Sequence, residues 1–203
     1  MALSKLEKVE KFHRLKNRIA NIVLRTIGDK EIIHGEQAVA VRLPQHLQRQ
    51  TRDIDVFSET PKVDAIEAEQ ELDEAFGGNF FEVTQAEHPG THKVRSRING
   101  RTYADFSEKE GKIPSERIQG NNYVTMQFIK KRLRAILRDK EKEFRHQKDR
   151  DTLNRIAIHE KRMEQQSIGS SFKQHKKEQL INIISIKKQQ KVNLFKNNGI
   201  KFI

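Results

Sequence analysis

The chain has 203 residues, of which 34% are apolar and 33% charged, with a formal net charge of +12. That length suits one main domain with an appendage, the absence of cysteine excludes disulfides, thiolate metal sites and cysteine nucleophiles, and the basic balance favours polyanions, above all nucleic acid. No apolar run approaches the ~20 residues of a bilayer span, and the opening Met1-Ala2-Leu3-Ser4-Lys5 lacks the apolar region of a signal peptide, so no membrane partner and a cytoplasmic location are expected.

In chain order, Ser4 to about Leu24 reads as a helix. Ser4 is a candidate N-cap with Glu7 at the capping-box position, and Leu6, Val9, Phe12, Leu15 and Ile19 recur at helical spacing. Gly28-Asp29 ends it. Ile32-Ile33 is a short strand, His34-Gly35 a turn, and Glu36–Leu43 a short helix stopped by Pro44. Asp53–Phe57 is a strand, Lys62–Phe76 an amphipathic helix closed by Gly77-Gly78, and Phe80–Thr84 another strand. His92–Ile98 and Arg101–Phe106 flank Asn99-Gly100, a strong hairpin signal. Tyr123 to about Leu137 and Glu141 to about Gln165 read as long helices. The expected fold class is α+β, a small mixed sheet backed by helices and followed by a helical subdomain. The expected divisions are a core over 1–112, a helical part over 113–166 and a lysine-rich tail over 167–203.

The richest chemistry lies in Gly35-Glu36-Gln37-Ala38 and Thr51-Arg52-Asp53-Ile54-Asp55-Val56. Asp53 and Asp55 are two apart on a strand, so they share a face, about 7 Å apart. Adjacent carboxylates repel and tend to sit together where a cation holds them. Oxygen-only ligands suit Mg²⁺ or Mn²⁺, the metals of phosphoryl transfer. Asp105, on the return strand of the hairpin, is the candidate third ligand. A type I turn with a bulge at Gly100 would pair positions 97 and 101. It would place Lys93, Arg95, Arg97, Arg101, Tyr103 and Asp105 on one face, with Val94, Ile98, Ala104 and Phe106 on the other. This separates polar from apolar residues better than a two-residue type I′ turn does.

These residues, from Ile33 to Val56 together with Asp105, resemble the DNA polymerase β-type nucleotidyltransferase superfamily. The form of the motif is most similar to the minimal or AbiEii-like nucleotidyltransferases and to the catalytic core of large-DNA-virus poly(A) polymerases and related phage proteins. The resemblance covers roughly Ile32 to Asp151. It implies a nucleotidyltransferase fold and a metal-dependent transfer of a nucleotide from an NTP to a hydroxyl, with release of pyrophosphate. Asp53, Asp55 and Asp105 would be the catalytic and metal-binding residues, and Mg²⁺ or Mn²⁺ the cofactor. Gly35, Gln37, Arg52, Arg95 and Lys131 (or its neighbour Lys130) would bind the nucleotide. RNA rather than DNA is the implied acceptor, and a phage or viral protein would work in the host cytoplasm or the virion. The chain departs from the pattern at Glu36, where the family has Gly or Ser. A carboxylate there repels phosphate unless it turns away or meets a metal or an arginine.

Other signals are plainer. His34 reads as a structural turn residue rather than a base. Lys148, Asp149, Arg150 and Asp151 read as a solvated helix face with i,i+4 pairing, although they also resemble the Lys/Asp helix that follows the core in this branch. The tail from Ser167 holds eight lysines against Glu178 alone, and Phe172, Phe195 and Phe202 are suited to docking on a protein partner or interleaving with nucleic acid. Two rivals follow from the same residues. One is a nucleic-acid-binding or virion-associated protein that keeps the fold with little catalysis, and the other is the toxin of a toxin–antitoxin or phage-defence pair.

Overall fold

The computed structural model describes residues 5–51 and 53–167. Ser4, Arg52 and the tail beyond Ser167 lie outside the described residues. The chain divides into two compact units, 1–156 and 157–203; the site described below belongs to the first.

Helix α1 spans Lys5–Thr26, strand β1 Ile32–His34, α2 Gly35–Ala40, β2 Ile54–Ser58 and α3 Pro61–Phe76. Strands β3 (Phe81–Gln85), β4 (Thr91–Ser96), β5 (Thr102–Glu108), β6 (Ser115–Ile118) and β7 (Asn121–Val124) follow, then α4 (Met126–Ile136). A 3-10 turn at Lys140–Arg145 leads into α5, over 146–167, the last helix among the described residues.

The seven strands form one mixed sheet in the order β3-β4-β5-β2-β1-β7-β6. Strands β2 and β5 are parallel, as are β1 and β7; the other neighbouring pairs are antiparallel. Alternation sets the two faces. Ile54, Val56 and Ser58 of β2 are buried, with Ala104 and Phe106 beside them on β5. This face packs on Ile19 and Val23 of α1 and on Ala65, Ala68 and Leu72 of α3. The other face carries Asp55, Phe57 and Asp105, with α2 and α4 near its β1 side. Gly77 ends α3 in the left-handed conformation, its N–H and that of Gly78 donating back to Glu74 and Asp73, the Schellman pattern its sequence announces.

Three expectations differ from the structure. Strands β6 and β7 lie inside the stretch read as helical. They are joined by Gln119-Gly120, both at positive φ (50° and 93°), a type I′ geometry. The flank Ser115-Glu116-Arg117 is too polar for a strand reading because β6 is an exposed edge. Helix α4 accordingly starts at Met126, where the Thr125 side chain accepts from the Phe128 N–H. The β4–β5 turn is neither of the two weighed. Ser96 and Arg101 close a four-residue loop, with Gly100 at φ 66° and its N–H donating to Ser96. The bulge lies lower, at the Val94/Arg95 step. It turns Tyr103 off the polar strip, so that the ring is buried and meets Phe81 edge-on at 5.9 Å. Ile98, placed with the apolar set, stands at the loop tip, 77% exposed.

Candidate active site

Strand register builds the site. His34 of β1 pairs with Asp55 of β2, Asp55 with Asp105 of β5, and Asp105 with Lys93 of β4. Neighbouring strands are about 4.8 Å apart, so these four side chains form a row across the sheet. Asp53 sits at the bend just before β2 and lines the same cavity as Asp55.

The carboxylates pay for this crowding. Burial pushes Asp55 up to about 7, and the charges of Asp53 and Asp105 push the same way against Lys148 and Arg132. Asp105 is also raised, chiefly by burial; Lys93 opposes this and Asp53 adds to it. Its Oδ1 is buried without a hydrogen-bond partner.

Gly35 is where the backbone must make room. It has φ 64°, and a Cβ there would lie 1.9 Å from Asp55 Oδ2. The first residue of α2 and the second Asp of the Asp-x-Asp pair therefore press on each other. His34, just before it, stacks on Phe57 with ring centroids 3.8 Å apart. Burial, helped by the Arg132 charge, drops its pKa to about 3, so the imidazole is neutral at ordinary pH. Its Nε2 is buried and unpartnered.

Above this row lies a cavity of about 640 Å³, within the range of small-molecule sites. Its apolar wall comes from Val39, Val124 and α4, through Phe128, Ile129, Leu133 and Ile136. Its charged wall comes from Arg49, Arg132, Arg145 and Lys148. Arg132 lies over the Phe57 ring, 5.5 Å from its centroid. Arg145 grips the buried Asp149 at 2.8 and 3.3 Å.

Glu36 also faces this cavity, and it is not a bare anion. Arg155 holds it through two bonds of 2.7 and 3.0 Å, and Arg49 approaches at 3.1 Å. Arg155 donates as well to the Leu47 carbonyl and to Thr152 Oγ1. Two guanidiniums on one carboxylate leave a net positive charge, so the turn does not repel phosphate.

Among the nucleotide-binding candidates, Gly35 lines the cavity and Gln37, on the other side of α2, does not. Arg95 does not line it either; its Nε donates to the Gly100 carbonyl at 3.1 Å and braces the hairpin loop. Lys131 points away, and its neighbour Arg132 is the α4 cation in the cavity. Ile129, Leu133 and Ile136 are the buried face of α4, and that spacing is the signal that singles out 132 over 131. Lys148 and Asp149 turn to the cavity rather than to solvent alone, while Asp151 accepts from Gln147 on the helix surface. Nothing in the sequence links Arg155 to Glu36, which lie 119 positions apart.

Among the described residues no three acidic or histidine side chains are already gathered into a metal-holding group. The donor set nonetheless suits a hard divalent cation. It is all oxygen, its members repel one another, and one oxygen is orphaned; a cation relieves each of these costs.

The fold, a seven-stranded mixed sheet backed by helices, is consistent with a nucleotidyltransferase fold. A solved structure of the Megavirus polyadenylate synthase matches it with a TM-score of 0.56 at 20% identity, over 74% of this chain and 35% of that one. The likeness is one of fold, and the chain spans about a third of that structure's length. No family model and no curated protein matches the chain. Among the described residues no helix is long and apolar enough to cross a membrane.

Proposed function

We propose that this protein is a metal-dependent nucleotidyltransferase that joins a nucleotide from an NTP to a hydroxyl of RNA or another acceptor and releases pyrophosphate. The observation that carries this reading is Asp53 and Asp55 lining a basic cavity, with Asp105 in register beside Asp55 on the next strand and Gly35 pressed against Asp55. Asp53, Asp55 and Asp105 would hold Mg²⁺ or Mn²⁺. Such an ion, held there, would supply charge neutralisation at the reacting phosphate and would make the acceptor hydroxyl more acidic.

The acceptor oxygen bonds to the α-phosphorus as the bond from that phosphorus to the β-bridging oxygen breaks. The hydroxyl proton passes to Asp105, and pyrophosphate leaves with the electron pair. Arg132 and Lys148 face the charge that builds on the leaving group, in a site walled by apolar side chains where such contacts count for more than in water. The neutral His34 offers a hydrogen bond without adding charge.

The test is incubation with each labelled NTP, Mg²⁺ or Mn²⁺ and a mixed RNA pool, beside Asp53→Ala/Asp55→Ala. Label on RNA with the wild type alone is the expected result and names the nucleotide. Label on protein instead would point to a toxin-type modifier. A second reading, a nucleic-acid binder that keeps the fold, draws on the lack of a preassembled metal-holding group among the described residues. It requires no transfer under any condition, with RNA affinity unchanged in the double variant.

A further inference from the structure

Helix α4 has two opposed faces of different chemistry. Ile129, Leu133 and Ile136 are buried. At about 100° per residue, Lys131 and Arg134 fall about 60° apart on the opposite side, and Arg138 follows in the turn just past the helix end. All three are exposed, none has an ion-pair partner among the described residues, and the helix contains no acidic residue at all. Lys131 and Arg134 are about 4.5 Å apart along the axis, within reach of neighbouring phosphates on one strand. Arg132, on the flank between the two faces, leads from this stripe into the cavity.

The 3-10 turn that follows carries Phe144, 87% exposed, one residue before the cavity-lining Arg145. Its ring is presented to solvent while His146, two residues on, pins the turn with Nε2 2.9 Å from the Ile136 and Asp139 carbonyl oxygens. An exposed aromatic that follows a line of exposed cations in the chain has the composition of a single-strand platform.

We infer that the outer face of α4, the turn that follows it and Phe144 form a track for a single-stranded nucleic acid, with Lys131, Arg134 and Arg138 on its phosphates and Phe144 under one base. This deepens the nucleotidyltransferase reading by giving its acceptor a path to the cavity, and it rests on that reading only for the word acceptor. A lipid surface fits less well, because the apolar face of α4 is already spent in the core and has nothing to insert.

The experiment is fluorescence anisotropy of labelled oligo(U) with the full chain across a KCl series. In Lys131→Gln/Arg134→Gln/Arg138→Gln the slope of log K against log[KCl] should shrink by about 2, since each single-strand contact contributes about 0.7. Phe144→Ala should lower affinity about tenfold with the slope unchanged, because stacking releases no counterions. Melting curves matching the wild type confirm that these surface changes leave the fold alone. An unchanged slope in the triple variant overturns the track. So does binding to phosphatidylserine vesicles with the same dependence on the three cations. Equal affinity for duplex RNA, with no effect of Phe144→Ala, overturns the single-strand assignment. Transfer to RNA with an unchanged slope would sink this inference and spare the enzyme; a reduced slope without transfer would do the reverse.

Discussion

In and beside the cavity stand two kinds of carboxylate, and they are treated oppositely. Glu36 and Asp149 are buried and gripped by arginines. Asp55 and Asp105 stand side by side, with raised pKa values and an orphaned oxygen. The first pair is paid for within the chain and serves to hold α2, the 45–50 stretch and α5 around the cavity. The second pair stays raised despite the charges of Lys148, Arg132 and Lys93, an imbalance that the proposed cation would relieve. The same side-chain chemistry is compensated in one place and left strained in the other, and the difference is a guanidinium bonded directly to the carboxylate.

Four changes break or sharpen this contrast. Arg155→Met strips Glu36 of its bidentate partner and should cost about 4 kcal/mol, read as a large drop in Tm by circular dichroism. Gly35→Ala forces a Cβ into Asp55 Oδ2 at a left-handed φ and should cost about 2 kcal/mol. It should also cost transfer activity, since relief moves Asp55. Asp55→Asn has the opposite sign. In the metal-free protein at pH 8 it should stabilise by on the order of 1–2 kcal/mol while abolishing transfer, a result no simple structural residue would give. Finally, Mn²⁺ should raise the Tm of the wild type by a few degrees at pH 8 and leave Asp55→Asn where it was.

The pH dependence follows from the same residues. Asp55 titrates near 7 folded against an ordinary value of 3.8. Between those values the folded chain keeps a proton that the unfolded chain has lost, so stability falls as pH rises from about 4 to about 7 and stays low above that. His34 works the other way. Its folded value near 3 lies below the ordinary 6.5, so its contribution is present above 6.5 and lost as pH falls toward 3. The two nearly offset in the wild type. Urea unfolding of Asp55→Asn against the wild type removes the common His34 part. The gap between them should open between pH 4 and 7.

Much of this molecule was legible without coordinates. The alternation in Ile54-Asp55-Val56-Phe57 puts Asp55 opposite the core, Gly77-Gly78 ends α3, and Gly35 ahead of the Asp-x-Asp pair marks the turn, because each of these depends on residues a few positions apart. The α+β class follows from the same local signals in order. What only the tertiary structure decided involves partners far apart in the chain. Arg155 reaches back to neutralise Glu36, the parallel register of β2 and β5 sets Asp105 beside Asp55, and the packing of α4 sends Arg132 rather than Lys131 into the cavity. The edge hairpin β6–β7 belongs here too, since its strands are defined by pairing to the sheet and not by their own polar sequence. Local periodicity carries information about the chain's nearest neighbours along a helix or strand. Charge compensation and strand register are set by which distant segments meet, and that is a property of the packed chain alone.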